Sequence, residues 1–152
     1  MNSPVKSFWM LLLLLCIHAQ TGCASTKLDN LTYEEAVEIY RAASHFENYR
    51  CIHLAADDNY QPIKAAKPIA IEIDEVLYLK IDGRVHELTR TTVSETEASY
   101  VNSTDKLEAG YSIVRRFNYS EYGESDDRHV NLWVKTPDKK KAFKTFGDRC
   151  GL

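Results

Sequence analysis

From residue 49 onward the sequence alternates apolar and polar residues with a period of two, and this pattern constrains the fold more than any other feature. A strand with one face on a core and one in solvent produces this alternation. Turn residues, not helical segments, separate the runs. Such a succession predicts an antiparallel sandwich or barrel. The seven runs are residues 49–54, 68–73, 76–81, 85–92, 98–102, 111–119 and 129–135.

The connections between these runs contain the residues that tight turns require. Asp82 and Gly83 separate two runs and fit a two-residue hairpin turn, in which both central residues take a positive φ. Gly123 closes a longer loop that is rich in serine and aspartate. We therefore expect neighbouring antiparallel strands with short connections.

A helix is predicted before the first strand. Thr32 can cap it, and Glu35, three residues later, can return a hydrogen bond to the capping residue. The apolar residues that follow recur every three or four positions, which places them on one helical face. These residues are Ala36, Ile39, Tyr40, Ala43 and Phe46.

The C-terminal stretch "TPDKKKAFKTFGDRC" predicts a second helix. Thr136 suits the cap, Pro137 suits the first helical position, and Gly147 falls where such a helix would end. Phe143 and Phe146 are three residues apart, as one helical face requires. The alternative is that Pro137 opens a hairpin and the tail is a strand.

Residues 1–24 predict a secretory signal peptide. Lys6 precedes an apolar run at residues 8–17, and small residues follow that run. The run is too short to span a bilayer. We therefore expect a secreted protein whose single domain covers residues 25–152, with about 128 residues and enough apolar content for one core.

Cys23 leaves a second route open. The Gly22-Cys23 pair resembles a bacterial lipobox, in which the cysteine is acylated, but Gln20 occupies a position that calls for an aliphatic residue. Gly22 and Ala24 suit a general signal peptidase, which requires small residues near the cut. We expect an unlipidated chain that begins near Ser25, and an acylated Cys23 is the alternative.

Outside the predicted signal the chain has two cysteines, Cys51 and Cys150. Two cysteines in an oxidising compartment predict one disulfide bond. The bond would close a loop of about a hundred residues, for which the chain-entropy treatment gives at most roughly 4–5 kcal/mol of stabilisation. The alternative is a pair of buried thiols.

The charge pattern argues against nucleic acid and anionic membranes as partners. Removing residues 1–24 takes away one of the 19 basic residues and none of the 22 acidic ones, so the net charge moves from −3 to −4. An acidic surface of mixed sign does not attract phosphate backbones. The basic run at residues 139–141 is interpreted as a solvated face.

The sequence contains no recognisable catalytic constellation. No phosphate-binding loop or nucleophile elbow is visible, and the histidines lack metal-ligand spacing. We therefore expect a monomeric binding protein that is not an enzyme and that needs no metal or cofactor. The histidines interpreted as ordinary core or surface residues are His45, His53, His86 and His129.

Three glycosylation sequons follow the predicted signal, at Asn30, Asn102 and Asn118. They matter only if the chain passes through an endoplasmic reticulum, and they require surface positions. As a set they favour a eukaryotic glycoprotein.

The predicted order of helix, strands and helix, with a bridge from the first strand to the tail, is similar to that of a lipocalin. A lipocalin is an antiparallel barrel that can hold one small ligand. The predicted strands are one short of eight, and residues 56–66 are the candidate for part of the missing strand. The Gly-x-Trp motif common in lipocalins is absent.

The stretch "FNYSEYGESDDRHVNLWVK" resembles a motif of tick salivary lipocalins, which also lack Gly-x-Trp. The match is a Tyr-Ser-Asp-Tyr sequence, here Tyr119 to Tyr122, followed by a Leu-Trp-Val strand, here Leu132 to Val134. Glu121 replaces the usual aspartate, and the two cysteines that often flank these motifs are missing. The resemblance extends loosely over residues 31–152.

This resemblance implies a secreted protein that sequesters a small hydrophobic or amine ligand and modulates immune and inflammatory responses of a host. Fatty-acid mediators, sterols and biogenic amines are the ligand classes it implies, and host immune cells or proteins are the implied partners.

A second resemblance is to the bacterial membrane-bound inhibitors of c-type lysozyme, which are small flattened barrels. "SETEASY", from Ser94 to Tyr100, is similar to their Ser-Gly-rich loop, and "WVK" at residues 133–135 is similar to their Trp-x-Lys. Glu95 and Glu97 stand where those proteins have glycine. This resemblance implies, as the alternative function, a bacterial outer-membrane or periplasmic lipoprotein that inhibits c-type lysozyme.

Strand alternation nominates a ligand pocket. Tyr111, Ile113 and Phe117 share one face of their strand, and this face would point inward if Asn118 carries an outward glycan. Trp133 lies on a later strand beside polar residues, as in many ligand-binding walls. The alternative is that these aromatic rings are core residues.

Glu72 is the carboxylate we nominate for a cationic ligand. It alternates with Ile71 and Ile73 in a predicted strand. The opposite interpretation is a strand residue that faces solvent.

Overall fold

Nine antiparallel strands and one short helix form the described part of the chain. The computed structural model describes residues 27–43, 49–55 and 67–152. Among these residues there is no helix that is long and apolar enough to cross a membrane. The elements are β1 (Leu28–Asp29), α1 (Tyr33–Ala42), β2 (Arg50–Ala55), β3 (Ala70–Ile73), β4 (Val76–Ile81), β5 (Arg84–Val93), β6 (Glu97–Asn102), β7 (Leu107–Phe117), β8 (Ser125–Lys135) and β9 (Lys140–Gly151).

The strands β2 to β9 close into an eight-stranded barrel. Each pairs with the next strand in the chain, and β9 returns to pair with β2. The short β1 pairs with the end of β4, beside the point where the β3–β4 pairing stops. All seven predicted strands are confirmed, and so is the hairpin at Asp82 and Gly83, whose φ angles are 49° and 80°.

The eighth barrel strand is the C-terminal tail, so the predicted C-terminal helix is wrong. The Thr136 N–H donates to the carbonyl of Lys139 at 2.8 Å, which closes a turn around Pro137 and folds β9 back onto β8. In β9 Phe143 packs on the interior core, and Phe146 belongs to a separate cluster with Leu54. Residues 56–66, considered for the missing strand, lie outside the described residues.

The helix α1 packs on the outer wall of the barrel. Its predicted capping box is present, since Thr32 Oγ1 accepts from the Glu35 N–H and Glu35 Oε2 accepts from the Thr32 N–H. Ala36 and Ile39 of the helix pack against β3. Phe46, predicted to continue its apolar face, lies outside the described residues. The strand residues that the helix covers are Ile71 and Ile73.

The interior of the barrel is occupied by side chains that pack into one apolar cluster. An eight-stranded barrel is just wide enough for its inward side chains to fill it. The members are Ala70, Leu77, Leu79, Ile81, Leu88, Ala98, Tyr100, Leu107, Ala109, Tyr111, Val130, Leu132 and Val134.

Gly110 in β7 marks a close approach on the outside of the barrel. A Cβ atom there would lie 2.6 Å from both the Ala98 carbonyl oxygen and a ring carbon of Trp133. We expect Gly110→Ala to lower the free energy of unfolding by about 1–3 kcal/mol, because a backbone and a ring must both move. Urea unfolding measures this.

Ser112→Ala is the matched control for that variant, since Ser112 is two residues along the same strand and is half-buried. Its stability should change by less than about 0.5 kcal/mol. If Gly110→Ala is equally neutral, the Trp133 ring does not lie over Gly110.

Candidate functional site

A groove of about 970 Å³ lies between one side of α1 and the outer wall of the barrel. Tyr33, Val37 and Tyr40 recur every three or four residues and form the helical side. Ile52 of β2 and Ile73 of β3 form the apolar part of the barrel side. The remaining residues that line it are Arg41, Ala43, Arg50, Ser125, Asp148, Arg149, Gly151 and Leu152.

Among the residues that the structure describes, the charged side chains that line the groove are three arginines and one aspartate. The guanidinium carbon of Arg50 lies 5.9 Å from the centre of the Tyr40 ring. Arg149 Nε lies 3.5 Å from Asp148 Oδ1. Burial raises the pKa of Tyr40 to about 12, so its hydroxyl stays protonated and can donate. The apolar residues on the two sides of the groove together form its apolar floor. An apolar floor beside an excess of cationic side chains suits an amphipathic anion.

A second set of polar groups lies inside the barrel and forms the buried polar cluster, which consists of His53, Glu72, Tyr100 and Tyr111. Glu72 is 1% exposed, and both tyrosines donate to its carboxylate, Tyr111 at 3.1 Å to Oε2. Burial raises the pKa of Glu72, although these hydrogen bonds oppose the shift. His53 Nε2 lies 4.0 Å from Glu72 Oε2, and burial lowers the pKa of His53 to about 4.

An ion pair lies at the end of this cluster, beside the disulfide bond. Arg128 donates from Nε and Nη2 to the two carboxylate oxygens of Asp126, and both residues are buried. It also donates to the Tyr49 hydroxyl at 2.9 Å and to the Cys150 carbonyl at 3.3 Å. The predicted bond between Cys51 and Cys150 is present.

The predicted pocket residues are only partly brought together. Tyr111 and Glu72 meet inside the barrel, and Ile113 packs at the edge of the same core. Phe117 instead stacks on His129, which is exposed, with ring centroids 4.9 Å apart. Trp133 lies between the inward Leu132 and Val134, and Lys140 Nζ lies 4.1 Å from its ring centre. The three aromatic residues therefore do not form one wall.

A β-bulge explains the separation of Tyr111 from Phe117. The register of β7 against β8 shifts between Ile113 and Arg115, and this shift exchanges the faces of the residues that follow. Alternation counted from Tyr111 predicted Phe117 on the same face. Single-sequence alternation does not reveal such an extra residue.

Glu72 faces the interior, so the interpretation as a solvent-facing strand residue is wrong. In the β2–β3 ladder it pairs with Cys51, whose side chain is also buried in the barrel. The neighbouring Ile71 and Ile73 face outward beneath α1. Two outward isoleucines around an inward glutamate are consistent with a covered outer wall, but this pattern alone does not specify where the helix lies.

The predicted glycosylation sites differ in how their amides are used. The Asn30 amide donates to the Lys67 carbonyl at 2.6 Å, and the Asn118 amide donates to Asp127 at 2.8 Å. The Asn102 amide donates to the Glu87 carbonyl at 3.0 Å. Asn30 and Asn118 are exposed, whereas Asn102 is half-buried.

The segment that resembles lysozyme inhibitors forms the β5–β6 hairpin. Glu95 and Glu97 are exposed at its tip, and Ser94 accepts hydrogen bonds from the backbone of the turn. Tyr100 is fully buried against Glu72 and is not available to a protein partner.

The groove residues were not nominated from the sequence, because they come from one helix and four strands that only the closed barrel brings together. Of those nominated for a ligand, none lines the groove. No protein-family model, curated protein or solved structure matches the chain.

Proposed function

We propose that the protein is a secreted, lipocalin-like binding protein that holds one amphipathic carboxylate, such as a fatty acid, in the groove between α1 and the barrel. The observation that carries the proposal is the groove itself, with about 970 Å³ of space, an apolar floor and three arginines. Sites for small molecules commonly measure about 300–1,000 Å³.

The groove favours the hydrophobic class of ligand over the amine class. Val37, Ile52 and Ile73 offer apolar contact to a hydrocarbon chain. Arginine binds carboxylates through two parallel hydrogen bonds, and an ammonium group would meet repulsion from the same residues. The carboxylate end therefore lies towards Arg41, Arg50 or Arg149.

The prediction of an amine ligand depended on Glu72, whose carboxylate is bound by side chains of the barrel interior. Its carboxylate already accepts from Tyr100 and Tyr111, and it is 1% exposed. An amine would have to displace these donors and enter a core of packed side chains. The desolvation of a buried ammonium is costly unless a geometry built for it exists.

Sequestration by such a protein lowers the free concentration of a lipid mediator without changing it chemically. Modulation of host immune responses is the consequence we propose if that mediator comes from a host. The protein acts in this proposal as a secreted monomer that is not an enzyme.

The first test places a charge on the apolar floor. We expect Val37→Asp to weaken fatty-acid binding at least about tenfold, because a carboxylate on α1 repels the ligand head group and hydrates the floor. Displacement of a fluorescent fatty acid measures the affinity. Val114→Asp is the matched control, since Val114 is 63% exposed on β7 outside the groove.

A second pair of variants tests the arginines. Arg149→Gln should weaken carboxylate binding about tenfold and leave binding of the corresponding fatty alcohol unchanged. Arg84→Gln is the control, because Arg84 is similarly exposed and also lies near one aspartate, at 3.4 Å from Asp105. Equal affinity of all variants, or tighter binding of amines than of carboxylates, would contradict the proposed function.

A further inference from the structure

Four potential metal ligands meet at the closing seam of the barrel. Cys51 and His53 are two residues apart in β2, so both point inward. Glu72 pairs with Cys51 across the β2–β3 ladder. The Cys51 sulfur, one His53 nitrogen and one Glu72 oxygen all lie within 4.8 Å of one another. Cys150 contributes the second sulfur through the disulfide bond.

His53 gives an independent indication of a ligand. It is 0% exposed, and within the described part of the chain neither of its ring nitrogens has a hydrogen-bond partner. A buried polar group without a partner costs free energy, so such groups are rare unless another function requires them. Metal coordination satisfies one ring nitrogen with a bond stronger than a hydrogen bond.

We propose that reduction of the Cys51–Cys150 disulfide converts this cluster into a binding site for a borderline divalent cation such as Zn²⁺. The ligands are the two sulfurs, His53 and Glu72. While the sulfurs are bonded to each other they cannot act as thiolates, so the oxidised protein offers one nitrogen and one carboxylate. Disulfide formation and metal binding therefore exclude each other.

The redox step is a thiol–disulfide exchange with a dithiol reductant. One reductant thiolate attacks a disulfide sulfur, which breaks the S–S bond and releases one protein thiolate. The second reductant thiolate attacks the reductant sulfur of the mixed disulfide, which releases the other protein thiolate and leaves the reductant as a cyclic disulfide. The protein gains two electrons and two protons as two thiols. Both thiols then lose their protons to solvent when they bind the cation.

The surroundings suit a four-coordinate site. Zinc prefers tetrahedral sulfur, nitrogen and oxygen ligands at about 2.0–2.3 Å, so ligand atoms within 4.8 Å of one another need only small shifts. Tyr100 and Tyr111 donate to Glu72 and fix its carboxylate. Gly147 leaves room for the sulfurs, because a Cβ there would lie 2.8 Å from the Cys150 sulfur.

Cobalt titration of the secreted protein tests this inference, because in the expected chain from Ser25 onward the proposed ligands Cys51 and Cys150 are the only cysteines. We expect the phosphine-reduced protein to bind one Co²⁺ per chain, with thiolate-to-cobalt charge-transfer absorption and the visible bands of a tetrahedral site. The oxidised protein should show neither signal.

Variants separate this site from binding to thiols alone. His53→Gln and Glu72→Gln keep both sulfurs, and each should weaken Co²⁺ binding at least about tenfold. His129→Gln is the control, since His129 is an exposed histidine on the outer wall, and it should bind as the parent does. Circular dichroism of each reduced variant checks that the barrel persists.

Three outcomes overturn the inference. The first is equal Co²⁺ binding by the oxidised and the reduced protein. The second is Co²⁺ binding by the reduced protein that neither His53→Gln nor Glu72→Gln weakens. The third is a cobalt spectrum that persists unchanged in urea. None of them bears on fatty-acid binding in the groove, so this inference and the proposed function stand or fall separately.

Discussion

Arg128→Met is expected to lower the free energy of unfolding by about 3–5 kcal/mol, because it leaves the buried Asp126 without its main counter-charge. Asp126 is 6% exposed and accepts two hydrogen bonds from Arg128. The substitution also removes the donors to Tyr49 and to the Cys150 carbonyl. Urea unfolding followed by circular dichroism measures the change.

The matched control removes both charges. Arg128→Met combined with Asp126→Leu should be more stable than Arg128→Met alone, since no charge is then left unpaired in the barrel. Arg116 Nη1 lies 3.9 Å from Asp126 and supplies partial compensation, which favours the lower end of the range. A loss below about 1 kcal/mol for Arg128→Met would show that the pair is hydrated.

The alternation of the sequence predicted the barrel because each strand has one face in the core. The run predicted at residues 76–81, for example, has the same first and last residues as β4. The tail was misinterpreted because Thr136, Pro137 and Gly147 satisfy both helix and turn rules. Pairing with β2 and β8 decided between them, and a single sequence does not show this long-range contact.

The candidate site was less predictable than the fold. Tyr111 and Glu72 lie inside, but they hydrogen-bond to each other and so stabilise the barrel instead of presenting a wall to a ligand. The bulge after Ile113 displaced Phe117 to the outer face. The groove depends on where α1 lies against the barrel, which neither helical periodicity nor strand alternation specifies.

There is a physical reason why the barrel interior is packed while space remains at the outer wall. An eight-stranded barrel leaves little interior space, and here Tyr100 and Tyr111 use it to satisfy one buried carboxylate. The outer wall beneath α1 is apolar at Ile52 and Ile73, and the helix covers it only in part. The ligand binding that we propose at that wall would not require the core to open.

Removal of the disulfide by Cys51→Ser with Cys150→Ser should lower the free energy of unfolding by about 3–5 kcal/mol and the melting temperature by about 10 °C or more. The bond joins residues separated by 99 positions, so it removes much of the conformational entropy of the unfolded chain. Thermal and urea unfolding of the secreted protein measure the effect.

The bond also lies at an irregular point of the ladder that closes the barrel. The β2–β9 ladder is the seam that closes the barrel, and its register shifts between Arg50 and Ile52. Cys51 lies at that irregularity and is tied across it to Cys150. Without the bond the unfolded chain is more expanded and exposes more surface. The double variant should therefore also show a larger urea m-value. An unchanged midpoint with an unchanged m-value would mean that hydrogen bonding alone holds the seam, and that the buried bond contributes nothing to closing the barrel.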